Sequence, residues 1–358
     1  MELTYDDEKY SDNYSSELFR PLSHDKENLD KGMYRIKKGD IYIYYYYKNN
    51  KEANDNDKNR IKRLNVGKEW TEVWVSNDPK NEIQCIGIDK QGKKQYMYSQ
   101  EHVEFVEREK FLRILKFAKK LDLINSAWEK HSNFPKYSKE KVISTILYLL
   151  KTLYLRVGKD MYARLNDSYG ASSLKKKHVK IVGNNIELQF NAKSHQNVSY
   201  PITKSNIVTH IKELMKLDGK KLFMYIDADD DDKLKQVTYM DTNRYIQEHM
   251  KDVFYNKDFR TYAANYNFIR RLVRETHENN PIVDGKVDKS IVRQNIKTAV
   301  HEAASLLKHT ESISKKAYIA SFIVTNYKEN PKIFDKYYGH HLELLLSLFE
   351  KYKKQVDY

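Results

Sequence analysis

Near Phe105 the spacing of the apolar residues changes, and this limits the possible folds more than any other feature of the chain. Before it the apolar runs are short: IYIYYYY (41–47), EVWVS, IQCIGI and KKQYMYS, parted by Asn-Asp-Pro and Asp-Lys-Gln-Gly turns. Such runs fit strands. The segment KEANDNDKNR between them reads as a polar turn or loop. After it the period is helical. From Glu109, REKFLRILKFAKKLDLI puts Phe111, Ile114, Leu115 and Ala118 on one face. YSKEKVISTILYLLKTLYLRVG reads as a more apolar helix with Ser138 as its N-cap. In HVKIVGNNIELQFNAKSHQNVSYPI, Gly183-Asn184-Asn185 marks a hairpin turn. NIVTHIKELMKL, DKSIVRQNIKTAVHEAASLLKH and HHLELLLSLFEKYKK are further helices. The expected class is α+β. Residues 1–32 read as a poorly ordered extension, 33–105 as a small β-rich domain, and 106–358 as a larger, mainly helical domain containing a β-hairpin. A length of 358 residues suits two such domains.

The formal net charge is +14, which favours a polyanionic partner, nucleic acid or an acidic membrane surface. Two positive lobes on a short linker would close around a duplex as a clamp. No apolar run is long enough to span a bilayer, and the opening MELTYDDEKYSD is too acidic and polar for a secretory signal. The single cysteine, Cys85, rules out a disulfide framework and a Cys-based zinc site. It suits a reducing, intracellular compartment. There is no Walker A loop and no G-x-G-x-x-G, hence no motif for ATP or a dinucleotide. The acidic run Asp227, Asp229, Asp230, Asp231 and Asp232 reads as a solvated loop after the strand LFMYI, since a metal site needs carboxylates at fixed geometry. His340 and His341 are neighbours at a helix start and point about 100° apart, a poor ligand pair.

Several cations lie beside local breaks. Arg156 sits in LYLRVGK, where the apolar helix ends, with Gly158 next to it. Lys193 sits in LQFNAKSH at a hairpin strand end, and Arg260 sits among aromatics in NKDFRTYAANYNF. His309 and Tyr318 lie in LLKHTESISKKAYIASFI. Each alone reads as a solvated charge, a cap or packing, for the chain holds 64 Lys and Arg and 29 Tyr. Composition and spacing by themselves stop at a basic, two-domain, nucleic-acid-binding protein.

Together and in this order, the segments resemble the type IB DNA topoisomerases, in the short form found in poxviruses and bacteria. The N-terminal part carries the W-T-x-V-W-[IV] strand and the G-x-D-x-x-G-[RK]-[RK]-Q-Y-x-Y stretch of that family. LRVGK, F-x-x-K, KDFRTYAANYNF and H-T-x-S-I-S-K-[KR]-A-Y follow its catalytic boxes. The resemblance implies that Tyr318 is the nucleophile, Arg156 and Arg260 the two arginines, His309 the histidine, Lys193 the hairpin lysine and Lys257 an accessory lysine. It implies that Lys93, Lys94, Gln95, Tyr96 and Tyr98 meet the DNA major groove, and that Asn265 lies close to the site at the DNA. Ala263 stands where the family commonly has Gly, and Asn191-Ala192 replace its usual V-G. Residues 1–32 have no counterpart.

The chemistry of such a site follows from its parts. A phenol with pKa of about 10 is a weak nucleophile. Its attack on phosphorus builds charge on the non-bridging oxygens, which two guanidiniums and an imidazole N–H stabilise. The departing 5′-alkoxide is a strong base and needs a general acid, the role that falls to Lys193. A 3′-phosphotyrosyl intermediate keeps the bond energy for religation. Neither ATP nor an essential metal enters. The partner is duplex DNA, not a membrane, and the expected form is a monomer clamping the DNA. The alternative is a tyrosine recombinase or integrase, which shares the five catalytic residues but typically has H-x-x-R at the second arginine, where this chain has Lys257-Asp-Phe-Arg260. A basic DNA-binding protein with a degenerate site is disfavoured because all five positions are filled. If the source is viral, the implied location is the virion or a viral factory in the host cytoplasm; otherwise it is the bacterial cytoplasm.

Overall fold

The computed structural model describes residues 30–356, so nearly all of the expected 1–32 extension lies outside the described residues. The chain divides into two compact units, Met1–Glu109 and Lys110–Tyr358.

In the first unit, β1 (Gly32–Lys38), β2 (Ile41–Tyr46), β3 (Thr71–Ser76), β4 (Ile83–Ile88) and β5 (Lys94–Tyr98) form an antiparallel sheet of order β2-β1-β3-β4-β5. Paired residues share a face. One cross-strand row is Tyr46, Met33, Val75, Cys85 and Met97. This row packs with Ile61 and Ala53 to make the unit's core. The opposite row is Tyr45, Tyr34, Trp74, Ile86 and Tyr96. Ile61 belongs to a helix, α1 (Asp55–Leu64), where the sequence suggested a loop. Its polarity hides it, but its ends are signalled. Asn54 caps it by accepting from the Asp57 amide at 2.9 Å, and Asp55 and Asp57 face the positive helix start while Lys62 and Arg63 face the negative end.

The helix expected from Glu109 begins earlier, at Gln100. As α2 (Gln100–Lys119) it runs through the change of period at Phe105. The second unit continues with α3 (Leu121–His131), α4 (Lys139–Thr152) and α5 (Asp160–Asn166). Ser138 caps α4, accepting from the Lys141 amide at 3.4 Å. Strands β6 (Val179–Val182), β7 (Asn185–Ala192) and β8 (Gln196–Ile202) form an antiparallel sheet, with the first turn at Gly183, φ +57°. Then come α6 (Ser205–Leu214), the hairpin β9 (Met224–Asp227) and β10 (Lys233–Gln236), α7 (Tyr239–Met250), α8 (Asn256–Glu278), the short hairpin β11 (Ile282–Val283) and β12 (Lys286–Val287), and α9 (Lys289–Leu306). Three helices close the chain: α10 (Ser321–Glu329), α11 (Lys332–Asp335) and α12 (His341–Val356).

Two apolar cores meet along α8. Phe259 belongs to the core of α3, α4, α6 and the β6–β8 sheet, whereas Phe268, Ile269, Leu272 and Val273 belong to that of α2, α9, α10 and α12. A helix buried on most sides is a fixed spine, and Arg260 and Asn265 sit on it. The acidic run is the tip of the β9–β10 hairpin, where Asp227 and Asp230 pair with Lys235 at 2.8 and 2.7 Å. His340 pairs with Glu343 at 2.8 Å, while His341 packs edge-on against Tyr266. Among the described residues no cluster of three or more His, Cys, Asp or Glu is placed to hold a metal ion, and no helix is long and apolar enough to cross a membrane.

Candidate active site

Arg260 is only 4% exposed, on the first turns of α8. Burying a guanidinium is costly unless its N–H groups find acceptors. One terminal nitrogen donates to the Tyr154 carbonyl and the other to the Leu307 carbonyl at 2.9 Å. Both carbonyls lie at chain breaks. Tyr154, φ +52°, follows the end of α4, and Lys308, φ +51°, follows Leu307 at the end of α9. Non-glycine residues seldom adopt that region, so the two bends are held by the packing around them. The Nε of Arg260 has no hydrogen-bond partner among the described residues.

Arg156 lies two residues beyond Tyr154, half-buried, with its backbone fixed by a neighbouring turn. The Ala171 amide donates to the Arg156 carbonyl at 2.8 Å, and the Ser172 hydroxyl donates to the Gly158 carbonyl at 2.9 Å. Gly158, φ +80°, touches Gly170 so closely that a Cβ there would lie 2.6 Å from the Gly170 nitrogen. The glycine beside the arginine is thus a steric requirement.

His309 and Tyr318 are brought together by an unusual turn. Thr310, not Ser314, caps the short helical turn Glu311–Ile313, accepting from the Ile313 amide at 3.3 Å. Ser314 instead opens a π turn, Ser314–Tyr318, and its buried hydroxyl has no hydrogen-bond partner among the described residues. Ser314, a residue type that commonly caps helices, does not cap this one: it already has helical geometry, which an N-cap does not. The Ile319 amide reaches back five residues to the Ser314 carbonyl at 3.0 Å, a geometry often found at functional sites. The result stacks the Tyr318 ring on His309, centroids 4.8 Å apart and planes 20° from parallel. The Arg260 guanidinium lies 5.7 Å from the Tyr318 centroid. Tyr318 packs on Ala263, Ala264 and Leu307, so the alanine that replaces the family's glycine supplies part of its floor.

Burial alone would raise the Tyr318 pKa, but the charges of Arg260, Arg156 and Lys193 outweigh it and leave the phenol below its ordinary value. Burial lowers the His309 pKa, with Arg260 and Arg156 adding to the effect. The Nδ1 of His309 donates to the Thr310 carbonyl at 3.2 Å, while its buried Nε2 has no hydrogen-bond partner among the described residues. Arg156, Arg260, Lys193, His309 and Tyr318 therefore share one electrostatic environment.

Lys193 is exposed and opens the turn between β7 and β8, where Ser194 and His195 both have positive φ, +64° and +54°. Lys308, absent from the sequence reading, ties this sheet to the end of α9. Its ammonium donates to the Ser199 carbonyl and lies 3.9 Å from the Tyr200 centroid. Lys257, exposed on the first turn of α8, lies 5.3 Å from the Tyr255 centroid. Asn265 differs from the expected DNA contact. It is fully buried, donates to the Tyr318 carbonyl at 2.9 Å and accepts from the Ala320 amide at 2.9 Å. Both ends of its side chain hold the backbone around Tyr318.

In the first unit, Tyr96 and Tyr98 stack on one face of β5, centroids 6.3 Å apart, and strand alternation puts Lys94 with them. Gln95 takes the face of the core residue Met97 and donates to Asp89 at 2.7 Å, so it does not stand beside the tyrosines. Lys93 belongs to the turn before β5, its amide donating to Asp89 at 3.0 Å.

Known proteins match the chain along most of its length. The family model described as eukaryotic DNA topoisomerase I, catalytic core, covers residues 99–340. One described as bacterial DNA topoisomerase IB, N-terminal domain, covers residues 42–89. A DNA topoisomerase 1B of Acanthamoeba polyphaga mimivirus is 41% identical over 338 residues, 94% of this chain and 99% of that protein. A DNA topoisomerase 1B of vaccinia virus (strain Copenhagen) is 27% identical over 250 residues, 68% of this chain and 72% of the relative. A DNA topoisomerase 1 of rabbit fibroma virus is 24% identical over 242 residues, 67% and 70% of the two chains.

Proposed function

Since the chain belongs to the type IB DNA topoisomerases, we propose that Tyr318 is the nucleophile with which it cuts one strand of duplex DNA. The observation that carries this reading is the stack of Tyr318 on His309 above the buried Arg260, with two orphaned nitrogens, His309 Nε2 and Arg260 Nε, in the same environment. Unpartnered buried polar atoms are rare, and a phosphodiester brings acceptors for the Arg260 Nε–H and, once it is protonated, for His309 Nε2. Tyr318 Oη attacks phosphorus, and its proton passes to water from a phenol already acidified by the surrounding cations. Arg156, Arg260 and His309 stabilise the charge on the non-bridging oxygens. Burial and the two arginines disfavour the charged form of His309 before DNA arrives, and the anionic phosphate favours uptake of a proton from solvent at Nε2, so that both ring nitrogens donate.

The bond to the 5′-oxygen breaks as Lys193 gives that oxygen a proton, with Lys257 assisting. The covalent 3′-phosphotyrosyl bond stores what religation needs, while the free 5′ end swivels and releases supercoils. The cationic set supplies the charge stabilisation that a metal gives in other phosphoryl transfers, so the reaction as proposed proceeds without ATP or an added metal. Tyr96, Tyr98 and Lys94 are offered to the major groove, with Lys93 at the turn beside them. The proposed working form is a monomer whose two units close on the duplex. Relaxation of supercoiled plasmid in excess EDTA without ATP tests this reading. The parent should relax both positive and negative supercoils, and Tyr318→Phe should bind the plasmid and relax neither. Activity lost to EDTA and restored by Mg²⁺ contradicts the reading.

A further inference from the structure

Helix α2 presents two cations one turn apart, at Lys110 and Arg113, and each reaches a different part of the site. The Lys110 ammonium donates to the Ala317 carbonyl at 3.3 Å, in the peptide that joins Ala317 to Tyr318. The Arg113 Nε donates to both carboxylate oxygens of Asp258 at 3.2 Å. Asp258 is fully buried and stands between Lys257 and Arg260. It also accepts from the Tyr255 amide at 2.9 Å and so closes the start of α8. The Tyr255 ring has the Arg113 guanidinium 5.6 Å from its centroid and the Lys257 ammonium 5.3 Å from it. Residues three apart on a helix share a face. One face of α2 thus holds the nucleophile's backbone and, through Asp258 and Tyr255, the helix start that bears Lys257 and Arg260.

We propose that Lys110 and Arg113 are positioning residues of the cleavage step, fixing the Tyr318 turn and the start of α8 in mutual register. Neither needs to touch DNA for this. The attacking phenol, the phosphorus and the donors must align, and a displacement of about 1 Å can slow a reaction roughly 100-fold. Lys110 acts on the nucleophile side of that alignment and Arg113 on the side of the transition-state cations. The Ala317 carbonyl also lies where the π turn leaves its backbone outside regular helix geometry, so a charged donor there selects one position of the turn. Asn265 holds the same turn at Tyr318 and Ala320 from the other partner, α8.

The inference rests on Tyr318 as nucleophile. Its test is single-turnover cleavage of a labelled duplex by the full chain carrying Lys110→Met, Lys110→Arg or Arg113→Lys, with DNA affinity measured separately in the Tyr318→Phe background. Lys110→Met and Arg113→Lys should slow cleavage by about tenfold or more, with affinity kept within about threefold. Lys110→Arg, which keeps a donor, should recover most of the rate. A sulfur in place of the bridging 5′-oxygen should not rescue Lys110→Met, because a better leaving group does not move the nucleophile. Should Arg113→Lys fail to fold, the half-buried Lys110 still decides the matter. If Lys110→Met instead weakens binding and flattens the salt dependence by about one phosphate's worth, Lys110 is a DNA contact and the proposal falls. Parental cleavage rates in Lys110→Met also overturn it. The reading of Tyr318 fails in a different way, if the parent forms no covalent adduct or Tyr318→Phe still forms one.

Discussion

Arg260 has two guanidinium nitrogens committed to protein carbonyls and one without a partner among the described residues. This division suits a residue that must be rigid before DNA arrives and still have something to give. Lys193 is its opposite, exposed at the tip of a strained turn, and its proposed role is on the leaving strand. The two roles separate when the leaving group is changed. With a bridging 5′-sulfur the departing thiolate needs no proton, so Lys193→Ala should cleave nearly as fast as the parent, though on the ordinary substrate it is slower by ~10²–10⁴-fold. Arg156→Ala and Arg260→Ala should stay slow on both substrates. Rescue of the arginine variants and not of Lys193→Ala would reverse the assignments. The side chains proposed as catalytic could be singled out in the sequence because each sits in a short motif with a local break beside it. The residues that hold them were not. Arg113 and Asp258 are 145 positions apart, and Asn265, which the resemblance placed close to the site at the DNA, instead holds the backbone around Tyr318.

At the scale of elements, the β5 ribbon and the β6–β8 sheet each yield a prediction. Tyr96 and Tyr98 project from one face of β5, and a two-stranded edge of this kind can read bases in the major groove. Tyr96→Ala and Tyr98→Ala should reduce cleavage at preferred sites with circular dichroism unchanged. An unaltered cleavage pattern in both would make the pair ordinary packing.

The β6–β8 sheet rests on His178, whose ring lies 4.3 Å from Tyr169 and whose Nδ1 accepts from the Lys175 amide at 3.0 Å. Burial, reinforced by Lys177 and Lys175 against a smaller opposing effect of Asp167, pushes its pKa down to about 4. An unfolded histidine protonates near pH 6.5. Between those values the unfolded chain binds a proton that the folded chain does not, so stability falls as the pH drops from about 6.5 towards 4. The thermal midpoint of His178→Gln should therefore depend less on pH across that window than the parent's; parallel curves would contradict this. Most elements were legible from period and caps, as with α4 behind Ser138. The α1 helix was not, because it buries little beyond Ile61 and its caps resemble those of a polar turn. The π turn was hidden too, since Ser314 is typical of an N-cap in sequence and only the five-residue bond to Ile319 shows otherwise.

For the whole molecule, the shift of period at Phe105 signalled two kinds of architecture, but α2 carries helix straight through it. Period reports which face is buried, and the first turns of α2 bury only His102, so the helix there left little apolar signal. Net charge pointed to a polyanion and could not choose the chemistry; the ordered motifs and the family did. The central claim is that one tyrosine of 29 forms the bond to DNA. Denaturing the full chain during turnover on duplex DNA, digesting it and identifying the nucleotide-bearing peptide by mass spectrometry tests that claim most directly. The account predicts a single adduct, a 3′-phosphate ester on Tyr318, formed in EDTA and absent from Tyr318→Phe. An adduct on another tyrosine, or one joined to a DNA 5′ end, would contradict it.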